Sequence, residues 1–197
     1  APLIILNVLV SPLTAGVLIV GATVLFAAEQ GVMAGVSFFL LIGVFSQRWH
    51  DLKEICPLPD KVWVVLDRVR DPGNLGTIFR TAEAAGVSNL VLTDCCDPYS
   101  PECVRATTGS IFAFNPVNMS QENLAGMCAK WPGDCVGTSM TAPESFRRTY
   151  QEPVLIVLGS ESRGLSAPVA AACKTMVSIP MAKGVESLNV ATAAALM

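Results

Sequence analysis

Three short polar segments hold most of the residues in this chain whose types and spacing suit chemistry. In the first, Asn74 precedes Arg80 by six residues, less than two helical turns, so one helix can turn both toward a ligand. In the second, the small-residue run from Gly159 to Ser166 brings one carboxylate, Glu161, into a loop whose backbone N–H and C=O groups lie open. In the third, Ser187 and Asn189 stand where a helix begins, and a helix N-terminus stabilises a carboxylate or a developing oxyanion. Each segment alone also reads as an ordinary capped helix or loop. Their weight comes from occurring together.

These segments need a frame, and the apolar runs between them supply it. Strands are expected at 62–66, 89–93, 111–117, 136–140, 154–158 and 176–179. Helices are expected at 75–85 (ended by Gly86), 102–108, 121–130, 168–173 and from Ser187 to the end. Such alternation implies an α/β fold, a mostly parallel sheet with helices on both faces, whose polar segments sit at strand ends. The first polar segment is a strand running into the Asp71-Pro72-Gly73 turn, with Asn74 expected to cap the helix after it.

Several familiar chemistries are excluded. A nucleophile elbow needs Gly-x-Ser-x-Gly, yet Ser160 occupies the first glycine position, and the sole histidine, His50, lies upstream of the loop. The Gly-Lys-Ser/Thr ending of a phosphate-binding Walker loop is also missing. Seven cysteines (Cys56, Cys95, Cys96, Cys103, Cys128, Cys135 and Cys173) form no Cys-x-x-Cys pair, which argues against a disulfide framework or a zinc site and for a reducing compartment.

With the three segments in view, residues 61–197 resemble the SpoU family of SPOUT (α/β-knot) methyltransferases, which share the motifs in this order. The run Val104 to Ser110 is similar to the family's intermediate segment, with Thr107 and Ser110 where Ser and Ala are usual, and Ser162 replaces the glycine usual after the motif glutamate. The resemblance implies a C-terminal trefoil knot, a homodimer, and transfer of a methyl group from S-adenosylmethionine to a ribose 2′-hydroxyl of structured rRNA or tRNA, with no metal required. It implies that Leu158, Gly159, Ser160, Gly164, Ile179, Met181 and Leu188 enclose the cofactor and that Arg80, Asn74, Glu161, Ser187 and Asn189 line the catalytic pocket. A non-catalytic RNA-binding paralogue is the rival reading, which the intact polar set disfavours.

The net charge of −3 supplies no general attraction to nucleic acid. A local patch of Arg68, Arg70, Arg105, Arg163 and Lys183 beside the motifs is expected to take that role, while Arg147 and Arg148 read as an ordinary surface pair. Hydrophobic residues make up 52% of the chain, and in the first 45 positions Glu29 is the only charge. Residues 3–28 and 32–45 are apolar enough for membrane spans, but Pro12 and the glycines at 16, 21, 35 and 43 interrupt them and Gly31 stands between them. A remnant of a substrate-binding domain over residues 1–60 is the favoured reading, a membrane segment the less favoured one, and the absence of a basic n-region argues against a signal peptide. The cytoplasm is the expected location, or an organelle matrix in a eukaryote. The chain starts at Ala1 and stops within the helix-like run 190–197, so it reads as a fragment whose last helix is truncated.

Overall fold

In the computed structural model, the residues described are 17–24, 36–43, 47, 49–50, 61–183, 185 and 187–197. The chain divides into two units, Ala1–Gln47 and Arg48–Met197. In the first, β1 (Val17–Val24) and β2 (Val36–Gly43) pair antiparallel. The described parts of the two apolar runs are strands, as suits segments rich in Val, Ile, Thr and Phe. No helix among the described residues is long and apolar enough to cross a membrane. The rest of both runs lies outside the described residues.

The second unit is built on a seven-stranded sheet. β3 (Val62–Asp67), β4 (Asn89–Thr93) and β5 (Val117–Asn118) extend one way from its centre. β8 (Val154–Gly159), β6 (Cys135–Thr138), β9 (Thr175–Ser178) and β7 (Glu144–Ser145) extend the other way. Every neighbouring pair in this sheet is parallel.

Alternation along β3 shows why both faces are covered. Val64 and Leu66 join Leu90, Leu92 and Leu158 in a core closed by α1 (Pro72–Ala84), α2 (Pro101–Thr107) and α5 (Val190–Leu196). Trp63 and Val65 point the other way, joining Val91, Leu155 and Val157 under α3 (Gln121–Lys130) and α4 (Ala167–Ala172). A period of two in a continuous apolar run buries both faces of a central strand. α1 carries the matching stripe, with Leu75, Ile78, Phe79 and Ala82 buried at helical spacing, the three larger ones each worth about 1.5–3 kcal/mol of apolar burial.

Two local expectations need correction. The strand expected at 111–117 is a 3-10 turn, Ser110–Phe112, and then only the two-residue β5. Gly109 enters that turn at φ 107°, and Pro116 supplies no N–H for an earlier start to the ladder. Asn74 does not cap α1: Asp71 does, its carboxylate accepting the Asn74 N–H at 2.7 Å, with Pro72 in the first turn. Arg148 is also more than a surface residue, since it pairs with Glu144 at 2.9 Å and Asp134 at 3.5 Å and so braces the β7 edge.

Candidate active site

The sheet's connections diverge between β3 and β8, and the crevice beyond the carboxyl ends of such strands is where open α/β sheets bind ligands. Asp67 and Gly159, the last residues of those two strands, face each other in register. The chain leaving each of them builds the site.

The Ser160–Ser166 loop folds back sharply after β8. Ser160 bridges to Gly164, whose N–H donates to the Ser160 carbonyl at 2.9 Å, and Gly164 takes φ 63°. The return is so tight that a Cβ on Gly159 would stand 2.2–2.4 Å from the backbone of Gly164 and Leu165. Only glycine fits there.

The end of β3 fastens the same loop at two points. Asp67, fully buried, accepts the Ser166 N–H at 2.6 Å. Arg68 donates from Nη2 to the Gly164 carbonyl at 3.1 Å, while its Nε lies 3.4 Å from Asp67, close enough for charge attraction but without hydrogen-bond geometry. Arg68, expected to contact RNA, therefore has its guanidinium engaged in holding the loop. Asp67→Ala leaves the buried Ser166 N–H without an acceptor and should destabilise the fold by about 2–3 kcal/mol, read from denaturant midpoints, whereas Asp67→Asn should recover part of that.

A second set of contacts ties all three polar segments together. Asn189 caps α5, its Oδ1 accepting from the N–H groups of Ala191 at 2.9 Å and Thr192 at 3.3 Å. That fixes its amide orientation, so its Nδ2 donates to Asn74 Oδ1 at 2.8 Å. Asn74 in turn donates from Nδ2 to the Glu161 carboxylate. Asn74 links the helix after β3, the loop after β8 and the start of α5 in one directional chain, each amide's orientation setting the next. Asn74→Ala removes two of these bonds and should destabilise the site by about 1–3 kcal/mol, on the scale of 0.5–1.5 kcal/mol per hydrogen bond, read as a lowered thermal midpoint. Asn74→Asp should be worse, because it sets a second carboxylate against Glu161.

Beneath the loop lies a cavity of about 390 Å³. All seven residues expected to enclose a cofactor line it: Leu158, Gly159, Ser160, Gly164, Ile179, Met181 and Leu188. Glu161 and Ser187 of the expected catalytic set line it too. Asn74 and Asn189 do not line it, but the chain of amides connects them to Glu161 in its wall. Arg80 does not line it; it stands on the exposed face of α1, about 9 Å along the axis from Asn74.

The opposite side of the same loop borders a second cavity, of about 310 Å³, lined by Arg68, Arg70, Arg163, Ser160, Glu161 and Ser162. Three of the five expected basic residues thus converge. Arg105, exposed in the last turn of α2, and the exposed Lys183 line neither cavity.

Two features escaped the sequence reading. Thr138, Ser139, Met140 and Thr141 form another wall of the larger cavity, because β6 stops at Thr138 where a strand to Met140 was expected. Their hydroxyl-rich composition at a strand end was the available signal. Asp67 was read as part of the first segment without a role, and its buried last place on β3 gives it one.

The model of the SpoU rRNA Methylase family matches residues 61–197. An uncharacterized tRNA/rRNA methyltransferase of Synechocystis is 39% identical over 142 residues, covering 70% of this chain and 51% of that protein. The 23S rRNA (uridine(2479)-2′-O)-methyltransferase of Streptomyces viridochromogenes is 34% identical over 162 residues, 78% of this chain and 56% of its own length. The chain thus spans about half the length of these relatives. An AdoMet-bound rRNA methyltransferase from Sinorhizobium meliloti has a similar structure, with a TM-score of 0.73 at 38% identity over 77% of this chain and 59% of that one. Motif order, fold and family match agree: the chain belongs to the SpoU rRNA methylase family.

Proposed function

We propose that this chain transfers a methyl group from S-adenosylmethionine to a ribose 2′-hydroxyl in structured ribosomal or transfer RNA. The observation that carries the proposal is the convergence of the second and third polar segments, with every candidate cofactor residue, on one cavity, to whose Glu161 Asn74 of the first segment is hydrogen-bonded.

The cavity suits the cofactor in size and chemistry. Its volume falls in the range of small-molecule sites, about 300–1,000 Å³. Leu158, Ile179, Leu188 and Val190 give it apolar walls, while the Ser160–Gly164 loop offers backbone polar groups. When bound there, S-adenosylmethionine supplies an electrophilic methyl group on a sulfonium.

The protein's own task is to prepare a poor nucleophile. A 2′-hydroxyl must be oriented in line with the methyl group and its developing negative charge stabilised. Arg80 takes that second role, because a guanidinium stays charged and donates in a fixed fork to an alkoxide and a neighbouring phosphate. Removal of the hydroxyl proton is shared with the RNA phosphate, since arginine itself is not deprotonated. Asn74 positions the ribose, and Ser187 with Asn189 holds substrate against the start of α5. Glu161 orients Asn74 as its acceptor.

Arg70 and Arg163 are the phosphate contacts of the second cavity, with Arg105 and Lys183 extending the patch. Residues 61–197 form the catalytic domain in this reading. Residues 1–60 are the remnant of a substrate-binding domain, which the strand pairing of β1 with β2 favours over a helical span. The C-terminal knot and homodimer of the family belong to the same proposal, with α5 packed back on α1 and Leu196 still about half exposed. The test is incubation of the full chain with RNA and S-adenosylmethionine, then mapping of ribose methylation at nucleotide resolution. Cofactor binding without any ribose methylation would favour an RNA-binding paralogue.

A further inference from the structure

Cys128, Cys135 and Cys173 are separated in the chain by seven and 38 residues, yet their Sγ atoms all lie within 4.8 Å of one another. α3 contributes Cys128, the first residue of β6 is Cys135, and Cys173 comes directly after the last residue of α4. Cys128 and Cys135 are fully buried and Cys173 is half-buried. Three thiolates around one ion at about 2.3 Å place their sulfurs about 4 Å apart, so the triangle needs little adjustment. A disulfide demands about 2.05 Å and would join only two of the three.

Two neighbours complete the surroundings. Gly137 has no side chain, and a Cβ there would stand 2.9 Å from Cys173 Sγ and 2.5 Å from Met176 Sδ, so the missing carbon lets a thioether approach the thiols. The Lys174 ammonium donates to the carbonyls of Trp131 and Gly133, beside the cluster.

We propose that Cys128, Cys135 and Cys173 form a three-thiolate site for a zinc(II) ion, with the Met176 thioether facing its open side. Soft sulfur donors select thiophilic ions, and charge selects the divalent one. Three thiolates and zinc(II) leave one negative charge, which Lys174 offsets. Copper(I) would leave two in an apolar core, where uncompensated charge is costly. Binding releases the thiol protons to solvent. Leu165 and Met176 adjoin the cluster and also line the larger cavity, so an occupied site braces that cavity's floor.

The test is titration of the reduced, metal-free full chain with zinc(II) against a competing chromogenic chelator, with cadmium(II) as spectroscopic probe. Expected are one equivalent bound with Kd below about 10⁻⁷ M, the scale of structural zinc sites, a thiolate-to-cadmium charge-transfer band, and a raised thermal midpoint. Cys173→Ser, at the half-buried and nearly isosteric position, should weaken binding at least about a hundredfold, by loss of one of three ligands, while Cys95→Ser leaves it unchanged. Zinc affinity weaker than micromolar, affinity unaltered in Cys173→Ser, or binding of copper(I) with no zinc binding would each overturn the proposal. Should Cys173→Ser fail to fold, absence of the cadmium–thiolate band in the unaltered chain overturns it independently.

Discussion

Arg80→Ala should lower kcat for methyl transfer by about 10²–10³-fold, the cost of removing one group aimed at developing charge, with S-adenosylmethionine affinity unchanged. The separation comes from position. Arg80 lies on the exposed face of α1, outside the walls of the larger cavity, so its loss removes nothing that faces a cofactor. Its guanidinium has no hydrogen bond or ion pair to any described residue, so its loss should also leave the folding midpoint unchanged. Buried Phe79 beside it carries the packing of that turn. Arg80→Lys keeps the charge but loses the planar fork, and partial activity is expected. Single-turnover rates and cofactor titration calorimetry separate the two effects. Equal losses in both would place Arg80 against the cofactor instead.

Gly159→Ala should act in the opposite sense, weakening cofactor binding about a hundredfold, which corresponds to about 2.7 kcal/mol. The new methyl carbon would meet Gly164 C at 2.2 Å and O at 2.4 Å, and Leu165 N at 2.4 Å, all backbone atoms with nowhere to turn. Relief comes only by displacing the Ser160–Gly164 return, at a typical overpacking cost of about 1–3 kcal/mol. That displacement moves the Gly164 carbonyl off Arg68 and Ser166 off Asp67, so both fastenings to β3 loosen together. Calorimetric titration should show the weakened Kd. A smaller fall in thermal midpoint is expected beside it, because the affected segment is one surface loop and the core beneath β8 is untouched.

The central strands were legible because β3 and β8 are continuous apolar runs, which a sheet covered on both faces requires. β5 was not, since Ile111 and Phe114 are apolar for a different reason: they pack from a 3-10 turn and the loop after it onto the same core as α1. The capping of α1 was written in the sequence as Asp71-Pro72, an N-cap with proline next in the first turn, but Asn74 drew the assignment as the more reactive-looking residue. Its amide is used sideways, toward Glu161 and Asn189, and a pairing across 87 and 115 residues leaves no local trace.

Arg68 shows the same limit in another form. Its type and neighbourhood suggested phosphate, and only the backbone at φ 63° turns its guanidinium back onto the loop. Arg70, two residues on, is exposed and lines the second cavity, a difference the sequence could not show between two neighbouring arginines. The three thiols escaped for want of a short spacing, because a strand and two helices, not a motif, bring them together. By contrast the seven cofactor candidates were found through one resemblance and share one cavity wall.

The most direct measurement is transfer of labelled methyl groups from S-adenosylmethionine by the full chain to ribosomal and transfer RNA prepared from cells lacking its gene. The product is mapped by resistance to alkaline cleavage, since a methylated 2′-oxygen cannot attack the adjacent phosphodiester. Label at a discrete nucleotide, alkali-resistant on its 3′ side and absent with Arg80→Ala, is the expected result. Label on a base, or bound cofactor with no label in any RNA, would contradict ribose methylation at the β3–β8 crevice.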